Sequence, residues 1–180
     1  MHAAVHRVLV GVVEFQGAVG WLHVPSEAET AGWLEAELSL VRAGRAAFAG
    51  AYVDDVLQGV GLWARFAAPV LSRNGQVRKL MTHPAARGSG VGRAVLQALE
   101  ADARAAAVEN LVLDVRGNNH AAMALYESLG WRRYSVLRDF ISVGEDRFDQ
   151  VSYVRELTRP AGARLHGERP EGPGASTRRA

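Results

Sequence analysis

The stretch HPAARGSGVGRAVLQALEADAR, His83 to Arg104, places three glycines within five positions directly ahead of an alanine-rich run. In that run Val91, Val95, Leu99 and Ala103 share one helical face, with Arg93, Gln97, Glu100 and Arg104 opposite, so a helix is expected from Gly90 to Ala107. Upstream, Gln76 to Thr82 reads as a strand stopped by Pro84, and downstream NLVLDVRG reads as a buried central strand. A strand, a glycine loop, an amphipathic helix and a second strand commit the chain to helices packed on a sheet. The glycines add a chemical constraint. They leave backbone N–H groups uncovered at the positive end of a helix, where an anion is stabilised.

The rest of the chain fits this frame. SEAETAGWLEAELSLVRAG is a helix capped by Ser26 and ended by Gly44, and RAAFAGAYVDDVLQGVGLWARF is a hairpin turning at Asp54–Asp55. Asn74–Gly75 carries a turn signal. NNHAAMALYESLG is a short helix with Asn119 as N-cap and Gly130 as its stop, and WRRYSVL and RFDQVSYVREL close the domain as strands. A first strand is expected within Val5 to Phe15. The fold class is therefore mixed α/β (α+β), a single domain of helices on a central sheet.

The domain is expected to span residues 1–157, with 158–180 a disordered basic tail. Arg159 to Ala180 holds five arginines against Glu168 and Glu171, whereas the whole chain is only +2, so the body is near neutral. The basicity is thus a property of the tail, and no nucleic-acid partner is expected. With no cysteine, the chain has no thiolate nucleophile, thiolate metal site or disulfide, which fits a reducing cytoplasm. The apolar run Val8 to Val13 is too short for a signal peptide and is closed by Glu14; no membrane partner is expected.

Three phosphate-binding patterns compete for Arg87 to Arg93. The dinucleotide pattern G-x-G-x-x-G fails because its third glycine falls on Arg93 or Val95. The G-x-x-x-x-G-K-S/T loop fails because the lone lysine, Lys79, lies upstream on a strand. The pattern R/Q-x-x-G-x-G/A fits Arg87, Gly88, Ser89, Gly90, Val91 and Gly92, with Arg93 beside it. A second pattern, N-x-x-A-x-x-L-Y-x-x-x-G-F/W, is matched at every fixed position by Asn119 to Trp131. Leu80-Met81-Thr82-His83-Pro84 matches a third, L-x-V-x-P, with Thr82 in the valine place. In these motifs, over roughly Gln76 to Leu157, the chain resembles the GNAT superfamily of N-acetyltransferases.

The resemblance implies a central sheet of six to seven strands with splayed middle strands, flanked by about four helices, and acetyl-CoA as co-substrate. Its pyrophosphate would be held by the Arg87–Arg93 loop and its pantetheine arm by a hydrogen bond from Asn119, with Leu80, Met81 and Thr82 also binding the co-substrate. Tyr126 takes the place of the general acid that gives a proton to the departing thiolate. No metal is implied, and the six histidines show no ligand spacing. The resemblance further implies direct attack by a neutral amine on a thioester carbonyl polarised by a backbone N–H near Met81. The glutamate that many relatives carry before the glycine loop is missing, and Gln76, Arg78 and Lys79 stand there. Asp114 matches the carboxylate proposed as base in ribosomal-protein N-terminal acetyltransferases. In a central strand, desolvation should raise its pKa and help it act as base, directly or through water; otherwise it anchors a neighbouring loop. His83 and His120 are expected to be surface residues.

For the acceptor, GAVGWL followed by an acid-rich helix looks most like bacterial acetyltransferases that include the tabtoxin-resistance enzymes, which implies a small-molecule amine. The alternatives are a protein N-terminal acetyltransferase of the ribosomal-protein type and a non-catalytic acyl-CoA-binding regulatory domain. Trp33 is expected to pack its helix on the sheet. A homodimer formed by pairing or exchange of C-terminal strands is a further implication of the resemblance.

Overall fold

A computed structural model describes residues 1–15, 17 and 19–158. The tail expectation therefore lies outside the described residues, apart from Thr158. The elements are α1 (His2–Glu14), α2 (Glu27–Arg42), β1 (Ala46–Val53), β2 (Val56–Arg65), β3 (Asn74–Thr82), α3 (Val91–Ala105), β4 (Asn110–Arg116), α4 (His120–Ser128), β5 (Arg132–Val143) and β6 (Asp146–Glu156). Six strands form one sheet in the order β1-β2-β3-β4-β6-β5. The β3–β4 pair is parallel and the others are antiparallel. Helices α1 and α2 cover one face over β1 to β3, and α3 packs on the other.

The first element is a helix, not the strand expected within Val5 to Phe15. Val5, Val8, Leu9 and Val12 recur at i, i+3, i+4 and i+7 and are at most 4% exposed. The valines favour a strand locally. Burying four aliphatic side chains, each worth ~1.5–3 kcal/mol, outweighs that preference. The stripe packs with Leu34 of α2 and Leu57, Val60 and Met81 of the sheet.

Two further readings change. Asn74 and Gly75 lie inside β3, where a Cβ on Gly75 would meet the Ala64 carbonyl at 3.0 Å and Leu111 and Trp63 at 3.2 Å. That glycine serves close packing, not a turn. Glu100, read onto the polar face of α3, is only 5% exposed. It accepts a hydrogen bond from Trp131 Nε1 at 2.8 Å and lies 3.4 Å from Arg104 and 3.6 Å from Arg155. Two cations and an indole N–H offset the cost of burying this carboxylate.

The remaining local signals act as read. Ser26 and Glu29 form a reciprocal capping box on α2, and Gly44 ends it at φ +66. Asp54 and Asp55, at φ 48 and 60, make the two-residue turn joining Val53 to Val56. Trp33 packs on the α1–α2 cluster.

Candidate active site

The site begins with a defect in the sheet. β3 and β4 pair only at Asn74–Asn110, Gly75–Leu111 and Gln76–Val112, and beyond that point they part. Against β2, the register passes from Leu62–Arg78 to Val60–Met81, so Lys79 and Leu80 together oppose Gly61. This bulge puts Lys79 at φ +52, a conformation costing ~1–3 kcal/mol for a residue with a side chain. The His83 N–H donates to the Gln58 carbonyl at 2.8 Å, which sets the phase of the antiparallel pair. Met81 therefore turns its N–H toward β2, and Thr82 turns its N–H toward the gap. The backbone N–H that faces the gap beside Met81 is thus that of Thr82. Met81 itself sends a 2%-exposed side chain into the α1–α2 cluster.

The glycine loop closes one end of the gap. Gly88 and Gly90 have φ +80 and +86 with no atom within 4 Å of a hypothetical Cβ, so backbone conformation demands glycine while the space above stays open. Gly92 keeps a close approach, since a Cβ there would stand 3.1 Å from Thr82 Oγ1. Gly90 is the N-cap of α3 and supplies no capping side chain, which leaves the first-turn N–H groups to an anion. Arg87 lies 5.7 Å above the Phe15 ring, Arg93 donates to Ser128 Oγ at 2.7 Å, and Val91 packs into the core. Ser89 turns its hydroxyl back to the Ala86 carbonyl at 2.6 Å and does not line the cleft. This cradle fits a pyrophosphate: open, glycine-lined, uncapped and flanked by two arginines.

Asn119 Oδ1 accepts from the Ala122 N–H at 3.2 Å, so its side chain caps α4 while lining the cleft. Tyr126, one and a half turns into α4, is 6% exposed and packs against Trp131 and Tyr153. Burial, with Tyr153 beside it, pushes its phenol up to about 12, so it remains a proton carrier at neutral pH.

Asp114 departs from expectation. It is solvent-exposed, not buried as a central-strand position suggests. On β4, Leu111, Leu113 and Val115 face α3 and α4, which puts Asp114 on the opposite face. Its carboxylate accepts from Ser152 Oγ at 2.6 Å and Gln76 Nε2 at 3.2 Å. Gln76, in place of the usual glutamate, thus orients the carboxylate. Asp114 and Tyr126 line one cleft of about 770 Å³ from opposite faces of the sheet, joined through the β3–β4 gap. Every residue given a catalytic or acetyl-CoA-binding role from the sequence lines it except Ser89.

Sequence reasoning missed the partners gathered from afar. Ser152 reaches Asp114 only through the β4–β6 register, and no local motif marks it. Val12 and Phe15 reach the cleft at the end of α1, and Val19 and Gly20 from the segment that follows it. His83 is half-buried against Gly11, and His120 is exposed. Among the described residues no three histidine or acidic side chains are grouped to hold a metal, and no helix is long and apolar enough to cross a membrane.

The profile of the Acetyltransferase (GNAT) family matches residues 16–131. The [ribosomal protein bS18]-alanine N-acetyltransferase of Escherichia coli K12 is 32% identical over 101 residues, 56% of this chain and 68% of that protein. The N-alpha-acetyltransferase RimI of Mycobacterium tuberculosis is 38% identical over 74 residues, 41% of this chain and 45% of its own. Among solved structures, yncA of Salmonella typhimurium with its cofactor acetyl-CoA superposes with a TM-score of 0.77 at 20% identity. That match covers 89% of this chain and 90% of that one. The ribosomal-protein-alanine N-acetyltransferase of Brucella melitensis gives a TM-score of 0.76 at 21% identity, covering 87% and 94%. At these identities the structural likeness establishes the fold.

Proposed function

Since the chain belongs to the Acetyltransferase (GNAT) family and is an acyl-CoA-dependent N-acetyltransferase, we propose that its acceptor is the α-amine of a protein or peptide N-terminus. The observation that carries this reading is the gap between β3 and β4, lined by Asp114 on one face and Tyr126 on the other. An amine entering from the Asp114 face meets a base on its own side, and the leaving thiolate meets an acid on the other. The Asp114 face is also the more open one: the main contacts of α1 and α2 are with β1 to β3, and Asp114 is exposed on β4, which suits an extended chain. Relatives named for N-acetylation of a ribosomal-protein alanine and for N-alpha-acetylation favour a peptide acceptor over the small-molecule amine.

Bound acetyl-CoA supplies an activated thioester. In this reading the N–H groups of Gly88, Gly90, Val91 and Gly92, with Arg87 and Arg93, hold the pyrophosphate. Asn119 uses its remaining amide donor on the pantetheine arm, and Leu80 and Thr82 frame that arm from β3. The Thr82 N–H polarises the carbonyl. Asp114, oriented by Ser152 and Gln76, takes the proton of the attacking amine directly or through one water. Tyr126 gives its phenolic proton to the sulfur as the C–S bond breaks.

The test is a panel of alanine-initiated peptides, their N-blocked counterparts and free amines such as polyamines and amino acids, each with acetyl-CoA. Mass spectrometry locates the added acetyl group. Acetylation confined to free peptide N-termini is the expected result. Turnover of free amines with inert peptides would restore the small-molecule reading. An acetyl-CoA-dependent thermal shift without turnover of any amine would point to an acyl-CoA-binding module.

A further inference from the structure

The lone lysine occupies an unusual place. Lys79 holds a left-handed backbone at the bulge that opens the sheet, and its side chain lines the cleft on the acceptor face. Its Nζ donates to the Val19 carbonyl and stands 4.0 Å from the Trp21 ring centroid. Between those partners, Gly20 has φ +83, and a Cβ there would come within 2.8 Å of Nζ, so the backbone closes tightly round the ammonium. Trp21 meets Trp33 edge-on at 5.5 Å, Trp33 Nε1 donates to Glu37 Oε1 at 3.3 Å, and Arg78 donates to Glu37 Oε2 at 2.7 Å. The ring of contacts returns to β3 one residue from where it left.

We propose that Lys79 is a positioning residue for the acceptor: its ammonium clasps Val19–Trp21 to the β3 bulge and so fixes the wall against which the amine docks. The clasp depends on charge as well as length, because a cation over an indole face is attracted by the ring quadrupole and the attraction grows as water is removed. Burial pushes the Lys79 ammonium down from its ordinary value, as does neighbouring Arg78, while Glu37 pushes it up. Val19 and Gly20 line the cleft, so a loosened clasp enlarges the acceptor side without touching the glycine loop. This inference rests on the reading of the cleft as one that takes acetyl-CoA and an amine.

The test uses the full chain and the fact that it has no cysteine. Lys79→Met keeps the chain length and removes the charge. Lys79→Cys, aminoethylated at its single thiol, restores an ammonium of nearly lysine reach. With an alanine-initiated hexapeptide as probe, Lys79→Met is expected to raise peptide KM about tenfold. Its kcat and acetyl-CoA KM should stay within about twofold. Amide exchange at Val19, Gly20 and Trp21 should quicken by a similar tenfold factor. Aminoethylated Lys79→Cys should return both quantities toward the parent, and unmodified Lys79→Cys should not. Unchanged exchange at those three amides overturns the clasp, as does acetyl-CoA affinity falling in step with peptide KM. If the parent acetylates no peptide, the peptide reading fails by itself and the exchange measurement decides the clasp.

Discussion

The two walls of the cleft are held by different means. On the donor side, Arg87 to Arg93 and Asn119 to Tyr126 are two continuous segments, and local backbone sets their shape: two left-handed glycines, an uncapped helix start and an asparagine cap. On the acceptor side, Phe15 and Val19, Lys79, and Asp114 come from three separate stretches of chain, and side-chain contacts hold them. The donor wall is dry at its centre, with Tyr126 buried, and the acceptor wall is wet, with Asp114 exposed. A rigid wall suits a co-substrate that never changes. A wall of side-chain ties lets acceptor preference shift without disturbing it.

If the walls are separable, the largest effect belongs to the group bridging chemistry and donor. Tyr126→Phe is expected to lower kcat about a hundredfold or more, the usual contribution of a general acid, with the acetyl-CoA dissociation constant unchanged. Steady-state kinetics beside equilibrium binding of acetyl-CoA separates the two quantities. A kcat near the parent value would leave the phenol as core packing and remove the acid from the mechanism.

Dryness at Tyr126 has a second consequence. Its phenol rises from 10.0 to about 12, so the folded state favours the neutral form. The stability this gives is complete below pH 10 and is lost as pH climbs through about 12. Two pKa steps amount to ~3 kcal/mol. Tyr153, 5.6 Å away, is pushed up to about 12 in the same way, by burial and then by the Glu127 carboxylate that accepts its hydroxyl. Urea unfolding midpoints should therefore hold to pH 10 and fall between pH 10 and 12. Tyr126→Phe should shrink that fall, and an equal fall in the variant would assign it elsewhere.

The acceptor wall should answer differently. Asp114→Asn is expected to lower kcat/KM for the acceptor about tenfold to a hundredfold, and Ser152→Ala, which only frees the carboxylate, several-fold less. Neither should alter acetyl-CoA binding. Isothermal titration with acetyl-CoA alongside acceptor kinetics gives the contrast, and a matching loss of acetyl-CoA affinity would show that the walls are one unit.

This division follows what the sequence made legible. The donor wall was readable because its chemistry is local: Gly88, Gly90 and Gly92 sit at fixed spacing, and the Asn119 cap and Tyr126 lie on one helix. Asp114 was readable as a residue but not as an environment, because its exposure depends on how far α1 and α2 extend across the sheet. The α1 stripe at Val5, Val8, Leu9 and Val12 was present in the sequence, but β-branched residues in a short run look like a strand until a partner face is known. The Lys79 bulge needs the β2–β3 register, which no window of sequence contains. Glu100 fell on the polar face because Trp131 and Arg155, which satisfy it, lie 31 and 55 residues further along.

The smallest expected effect tests whether backbone alone builds the donor wall. Gly90 and Gly92 are one residue apart and are glycine for different reasons: Gly90 for its φ of +86, Gly92 for the 3.1 Å approach to Thr82 Oγ1. Gly90→Ala carries its strain with or without ligand, so the free protein should lose ~1 kcal/mol and unfold a few degrees lower. Gly92→Ala asks the Thr82 hydroxyl to give by a few tenths of an ångström, and should leave the midpoint nearly unchanged. Both place a methyl group beside the N–H groups of the loop, so both should weaken acetyl-CoA, by roughly threefold to tenfold. Thermal unfolding with and without acetyl-CoA reads both quantities from one preparation. Equal midpoints for the two free variants would mean the loop relaxes round Gly90, and the donor wall would then be as adjustable as the acceptor wall it faces.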